Sequence, residues 1–384
     1  MKTPLRMAIL VIGLGLAVLI RLPLLSFKSS DFFNSLRPWY VIIHEMGFSV
    51  FGTDFTTYNP PYLYQLYLIA RFFPDVSNLL AIKIPSLITD FICAYFVYKI
   101  VALKYPAQSF GIFAAIAFLF TPTVVLNSAF WGQADVLFTA PLIACLYFLM
   151  VRKNSLAFIA FGISLAFKLQ AVFLAPLLLG LFLRGQVSWK HFLLVPLVLF
   201  LAIIPSWIAG RPLLDLILIY VAQTKQYQLL EMSAPTVYTW LPDIGLTQRF
   251  FTLTGVIFTA MLGFVFSALI YKSQAKLTVP LLLKLALVSV LFVPFFLPKM
   301  HDRYFYPADV ISIIYAFYFP QYFFVPIGII VASFFAYQPT LFNAETVPMG
   351  FLAAGLFVIL IILAKDAILD LFTRRTAVET SDKQ

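Results

Sequence analysis

Residues 279–297 read VPLLLKLALVSVLFVPFFL, a run whose single charge is Lys284. A bilayer is crossed by about 20 mostly apolar residues, because backbone groups that meet no water must hydrogen-bond along their own helix. This run is apolar enough to do so. Reading outward from it gives further candidate spans at 7–26, 83–104, 110–126, 134–150, 155–168, 170–184, 190–208, 250–271, 303–318, 321–337 and 347–367. The expected fold is therefore all-α, a polytopic transmembrane protein of about 12 spans with both termini on one side. Composition agrees: 62% of residues are hydrophobic and 11% charged, where a soluble domain carries roughly a quarter. Pro122, Pro141, Pro176, Pro196 and Pro294 lie in or near these runs and predict kinks and tilts.

Lys2 and Arg6 before the apolar run 7–20 imitate a signal peptide, but Arg21-Leu22-Pro23-Leu24-Leu25 offers no small-residue cleavage site. An uncleaved first span is the better reading. Cys93 and Cys145 both fall inside apolar runs and read as free thiols. No repeat or low-complexity linker divides residues 1–384, which are treated as a single domain. Short loops carrying Arg152-Lys153, Arg184 with Lys190, and Lys272 with Lys276 place one side in the cytoplasm. The N-terminus and a tail at 368–384 then lie inside. Two long segments lie outside, 27–82 and 209–249. The first includes a stretch, Pro38–Val50, that could lie as an interfacial helix.

Polar groups at the ends of apolar helices need a cavity or a chemical task. On this orientation four turns, distant in sequence, bring such groups to the outer side. They are Asp31, Trp131-Gly132-Gln133-Ala134-Asp135, Lys168 with Gln170, and Lys299-Met300-His301-Asp302-Arg303-Tyr304. Each has a plain alternative. Asp31 could be solvated, Lys168 could snorkel to headgroups, Gln133 and Asp135 could cap a helix, and His301-Asp302-Arg303 could be a self-paired surface turn. Their coincidence on one face favours a site. The three histidines, His44, His191 and His301, suggest no metal centre. No Gly-rich turn after a strand and no Asp-x-Asp pair suggests a nucleotide-binding fold, and no nucleic-acid partner is expected.

The order of motifs resembles the C-type (GT-C) superfamily of membrane glycosyltransferases, nearest to bacterial relatives of the GPI mannosyltransferases. The resemblance covers most of the chain. It rests on Asp31, Tyr58-Asn59-Pro60-Pro61-Tyr62-Leu63-Tyr64, Trp131-Gly132-Gln133-Ala134-Asp135, Phe167-Lys168-Leu169-Gln170, Ser233-Ala234-Pro235-Thr236-Val237-Tyr238-Thr239-Trp240 and His301-Asp302-Arg303-Tyr304-Phe305-Tyr306-Pro307. It implies an inverting transfer of a hexose, mannose or glucose, from a polyprenyl-phosphate sugar to an extracytoplasmic glycan, glycolipid or protein, without a cofactor. Asp31 would be the catalytic base. Lys168, His301 and Arg303 would hold the donor phosphate. Tyr58, Asn59, Trp131, Gln133, Asp135, Gln170, Asp302 and Trp240 would contact substrate. Where many relatives have Asp-Tyr-Pro-Pro, this chain has Tyr58-Asn59-Pro60-Pro61, so Asp54 is the open candidate for the loop's second acid. The implied location is a bacterial plasma membrane. A transporter of polyprenyl-linked lipid, or a ligase or polymerase using a diphosphate-linked donor, remains the alternative, with Lys284 the strongest point for transport.

Overall fold

α1 (Thr3–Arg21) runs on into a 3-10 turn at Leu22–Ser26, where Pro23 removes a backbone donor and ends regular α geometry. In the computed structural model, which describes residues 3–226, 229–241 and 248–372, this end is closed by a distant side chain. Lys83 Nζ donates to the carbonyls of Leu24, Leu25 and Phe27 at 3.3, 3.1 and 2.9 Å, taking up acceptors that a helix end leaves open. A π-helical turn follows Asp31 at Phe32–Leu36, then α2 (Arg37–Met46) and α3 (Pro60–Phe72). The stretch Pro38–Val50 is thus helical, as part of α2 and the 3-10 turn Gly47–Gly52. α3 contains most of the Tyr58–Tyr64 motif, and its prolines suit the first helical turn, where the missing N–H has no partner to lose.

α4 (Asn78–Lys104) is capped by Ser77. α5 (Phe110–Phe120) and α6 (Pro122–Val125) meet at Pro122, and α6 passes directly into a π-helical turn, Leu126–Trp131, bending the pair by 54°. Next come α7 (Asp135–Met150) and α8 (Asn154–Phe167), a 3-10 turn at Leu169–Leu174, and α9 (Ala175–Leu183). α10 (Trp189–Phe192) leads into α11 (Leu194–Ile208), followed by α12 (Leu213–Ile217) and α13 (Ile219–Gln226). The last third holds α14 (Gln248–Lys272), α15 (Val279–Phe296), α16 (Tyr306–Tyr318), α17 (Phe324–Phe342) and α18 (Met349–Phe372). Among the described residues the strands are β1 (Glu231–Met232) and β2 (Met300–His301), paired in parallel.

Burial sorts these helices. Every residue of α15 from Leu281 to Phe295 is buried, whereas α11 buries only Ser206 among its own residues. α15 is therefore a central post, and α11 presents its apolar face outward, as a helix in lipid does. Among the described residues seven helical segments are long and apolar enough to cross a membrane, or eight if the bent pair counts as one span. Asp135–Met150, Asn154–Phe167 and Leu169–Leu183 are apolar but shorter. The chain is a helical membrane protein. Each of the twelve expected spans falls on a helix or helix pair, but the shorter ones do not reach the span length on their own.

Candidate functional site

The four polar turns converge at one end of the bundle. Asp31 is half-buried. Its Oδ2 accepts from the Trp131 indole N–H at 2.9 Å and from the Gln133 amide. No protein donor reaches its Oδ1 among the described residues. Trp131 ends the π turn, and Gly132 beyond it holds φ +81°, a left-handed conformation that glycine adopts without penalty. A Cβ there would also stand 3.3 Å from Lys83 Cγ. The turn returns as the Gln133 N–H donates to the Asn127 carbonyl at 2.8 Å. This aims both the indole and the amide at Asp31.

Asp135 lies in the first turn of α7 and has no exposed side-chain surface. Lys168 Nζ sits 2.6 Å from its Oδ1, Asn127 Nδ2 donates to Oδ2 at 2.8 Å, and Arg303 Nε is 3.5 Å from the same Oδ2. Arg303 Nη1 donates to Asp302 Oδ1 at 3.2 Å, and Thr340 donates its hydroxyl to Asp302 Oδ2. The guanidinium also lies 5.2 Å from the centre of the Trp131 ring, a distance at which the ring face attracts a cation. Three acids and two bases therefore form one continuous array. The bases keep donors to spare: Lys168 has three N–H bonds, and Arg303 Nη2 has no protein acceptor among the described residues.

The turn 297–305 is held in place by β1·β2 and by an Asp302 N–H bond to the Met232 carbonyl at 3.0 Å. Burial there sets the protonation states. Burial, reinforced by Arg303 and Lys168, lowers the His301 pKa to about 2, so its imidazole is neutral. This corrects the expectation of a cation at 301, which can offer a hydrogen bond but no charge. Burial raises Asp302 to about 6 against the opposing pull of Arg303. Burial opposes the charge on Arg303, but Asp302 and Asp135 outweigh it and raise its pKa. Asp135 serves as a counter-ion and not as the helix cap weighed from sequence, since α7 has no side-chain cap.

Of the predicted residues, Asp31, Trp131, Gln133, Asp135, Lys168, His301, Asp302 and Arg303 come together. Tyr58, Asn59 and Trp240 make other contacts. Tyr58 packs on Trp39 and Tyr62. Asn59 is buried; its Nδ2 donates to the Ala166 carbonyl at 3.0 Å and to the Tyr220 hydroxyl. Gln170 makes no side-chain hydrogen bond among the described residues. Trp240 donates to the Gly350 carbonyl at 3.2 Å, at the start of α18, and is exposed. Asp54 pairs with Arg211 at 2.6 Å and is mostly exposed. Asn59, Ala166 and Tyr220 instead border an apolar cavity of about 380 Å³ between α3, α11 and α12–α13. Ala166 lies two residues before Lys168, so the cavity wall and the array share one chain segment.

Several supporting residues were missed. Lys83, Ser86 and Asp90 lie at i, i+3 and i+7 on α4, hence on one face. All three are buried. Ser86 donates to the Gln133 carbonyl, and Asp90 Oδ2 accepts from Arg21 Nη2 at 3.0 Å and Ser128 Oγ at 2.6 Å. The signal was present as three polar residues at helical spacing in an apolar run. Lys284 is accounted for at the opposite end of α15. It lies 2.6 Å from Asp366 and 2.8 Å from Asp370 of α18, and Tyr315 donates to Asp366 at 3.1 Å. Among the described residues no group of three His, Cys, Asp or Glu is placed to hold a metal ion. The chain matches no model of a known protein family and no curated protein.

Proposed function

We propose that the protein is an inverting membrane glycosyltransferase of the C-type superfamily. In this reading it crosses the membrane about twelve times as one domain and moves a hexose from a polyprenyl-phosphate sugar to an extracytoplasmic acceptor. The observation that carries the reading is Asp31. It is a carboxylate with one oxygen fixed by two neutral donors and the other open, beside two cations with donors to spare. Asp135, the other candidate base, is fully buried, with Lys168 on one oxygen and Asn127 and Arg303 at the other.

The chemistry uses these roles. The acceptor hydroxyl attacks the anomeric carbon and passes its proton to Asp31 Oδ1. The bond from that carbon to the phosphate oxygen breaks, and its electron pair leaves on the lipid phosphate. The charge gained there is met by Lys168 and Arg303, already oriented by Asp135 and Asp302. Arg303 supplies directional N–H bonds, Lys168 a compact charge and His301 a neutral hydrogen bond. The apolar cavity next to Ala166 has room for part of a prenyl chain. The transport reading leaned on Lys284, which already has two carboxylate partners at the other end of its helix.

The test is transfer by purified protein from a synthetic polyprenyl-phosphate mannose or glucose to acceptor-containing membrane extract. Transfer that requires the lipid donor supports the proposal. Transfer from a soluble nucleotide sugar, with none from the lipid donor, overturns it.

A further inference from the structure

Asp31 and Asp135 belong to segments a hundred residues apart, and neither segment is regular. Asp31 stands between a 3-10 turn and a π turn, and Asp135 follows a π turn and a left-handed glycine. Irregular backbone of this kind does not fix its own geometry to the fraction of an ångström that a reacting site needs. One helix face touches both segments. On α4, Lys83 gathers the three carbonyls leading toward Asp31, and Ser86 holds the Gln133 carbonyl next to Asp135. Asp90, one turn deeper, receives Ser128 from the π turn and Arg21 from the end of α1 on a single oxygen. Arg21 also donates to the Ala17 carbonyl at 2.9 Å, and Ser29 bridges the two arms by donating to the Trp131 carbonyl at 3.2 Å.

We infer that the Lys83–Ser86–Asp90 face of α4 is a positioning element that sets the Trp131 indole, and through it Asp31, against the Asp135 cations. None of the three touches substrate in the proposed reaction. Asp90 acts through Ser128, which lies between Asn127, the donor to Asp135, and Trp131, the donor to Asp31. Loss of the Ser128 hydroxyl would therefore loosen both arms together. A buried ion pair inside a helical bundle is not needed for stability alone, since well-packed apolar residues serve as well. Here the pair is bonded into the turn that carries the site. The catalytic consequence rests on the glycosyltransferase reading; the geometric one does not.

The experiment separates the two. The protein is labelled with 5-fluorotryptophan, and the Trp131 fluorine resonance is assigned from its absence in Trp131→Phe. Ser128→Ala is then compared with Ser128→Thr, which keeps the hydroxyl, and with Ser86→Ala. Lys284→Met, whose pair lies at the other end of the bundle, serves as the control. The expected result is a displaced or broadened Trp131 signal in Ser128→Ala, restored in Ser128→Thr, and unmoved in Lys284→Met. With the polyprenyl-phosphate donor, kcat in Ser128→Ala falls about tenfold or more while KM stays within about twofold, the mark of a misplaced reacting group. A folded Ser128→Ala with the wild-type Trp131 signal overturns the inference. If the wild-type protein transfers no sugar, the function proposal falls, and the fluorine spectra still decide the positioning role.

Discussion

Two charge clusters, one at each end of α15, are built differently. The Lys284 cluster joins two helices through one base and two acids, and its acids are the more exposed members, at 19% and 34% against 7% for the lysine. The Asp31 array draws on four turns, and two of its three acids, Asp135 and Asp302, are its most deeply buried charges, at 0% and 2%. In the first, the charges hold helices together. In the second, helices and turns hold the charges. α15 links them over about 20 Å from Lys284 to Leu297, at 1.5 Å per residue. Charge buried in a membrane protein is thus not of one kind, and the direction of support tells a clamp from a site.

This contrast can be broken most directly at Asp31. Asn has nearly the same shape but accepts no proton, so Asp31→Asn should insert and melt normally while turnover drops about a hundredfold or more. Transfer assays beside thermal melting in detergent check both halves, and full activity would move the base elsewhere. Arg303→Lys comes next. It keeps the charge but loses the fork that reaches Asp302 and Asp135 together, so kcat/KM for the lipid donor should fall about tenfold. An unchanged donor titration would remove Arg303 from the phosphate site.

Lys284→Met should give the opposite signature. It leaves Asp366 and Asp370 without their base and should lower stability by about 1–3 kcal/mol, with transfer per folded molecule retained. Adding Asp366→Asn and Asp370→Asn should recover part of that loss. A Lys284→Met protein that melts like wild type but transfers no sugar would make this cluster functional and erase the contrast.

The smallest effect is pH-dependent. The Asp302 pKa is about 6 in the folded protein, above its value in an unfolded chain. The folded state therefore binds this proton more tightly and gains stability as pH falls from above 6 toward the ordinary carboxylate range. His301, held neutral by burial, works against this below about 6.5, because its unfolded form takes up a proton there. Melting temperature against pH from 7.5 to 5 should accordingly rise more, or fall less, in wild type than in Asp302→Asn. Parallel curves would refute the shift.

The helix positions were legible in the sequence because apolar runs and prolines mark them. The span count was less so. α7 is apolar yet packed almost wholly against protein, with thirteen of its sixteen residues buried, and hydropathy alone does not distinguish protein neighbours from lipid. The convergence of Asp31, Gln133, Asp135, Lys168 and Arg303 was legible as polar groups repeatedly placed at helix ends on one side. The placing of Asn59 and Trp240 was not, because their partners Tyr220 and Gly350 lie over a hundred residues away. Lys83, Ser86 and Asp90 were passed over because polar residues within a span resemble isolated exceptions until their partners are seen. The charge expected at His301 depended on burial, which sequence does not report. Arg374, Arg375 and most of the expected tail 368–384 lie outside the described residues.

Both arms of the site contain a π turn, at Phe32–Leu36 and at Leu126–Trp131. A π turn holds one residue more than an α turn can accommodate, and each α-helical residue rotates the chain by about 100°. Removing a single residue from 126–131 would therefore not shorten a loop; it would rephase the helix. Trp131 would swing out of line with Asp31, while the apolar pattern of the segment would change little. The site is keyed to residue count as much as to residue type, so a neutral-looking one-codon deletion here should be as damaging as losing the carboxylate itself.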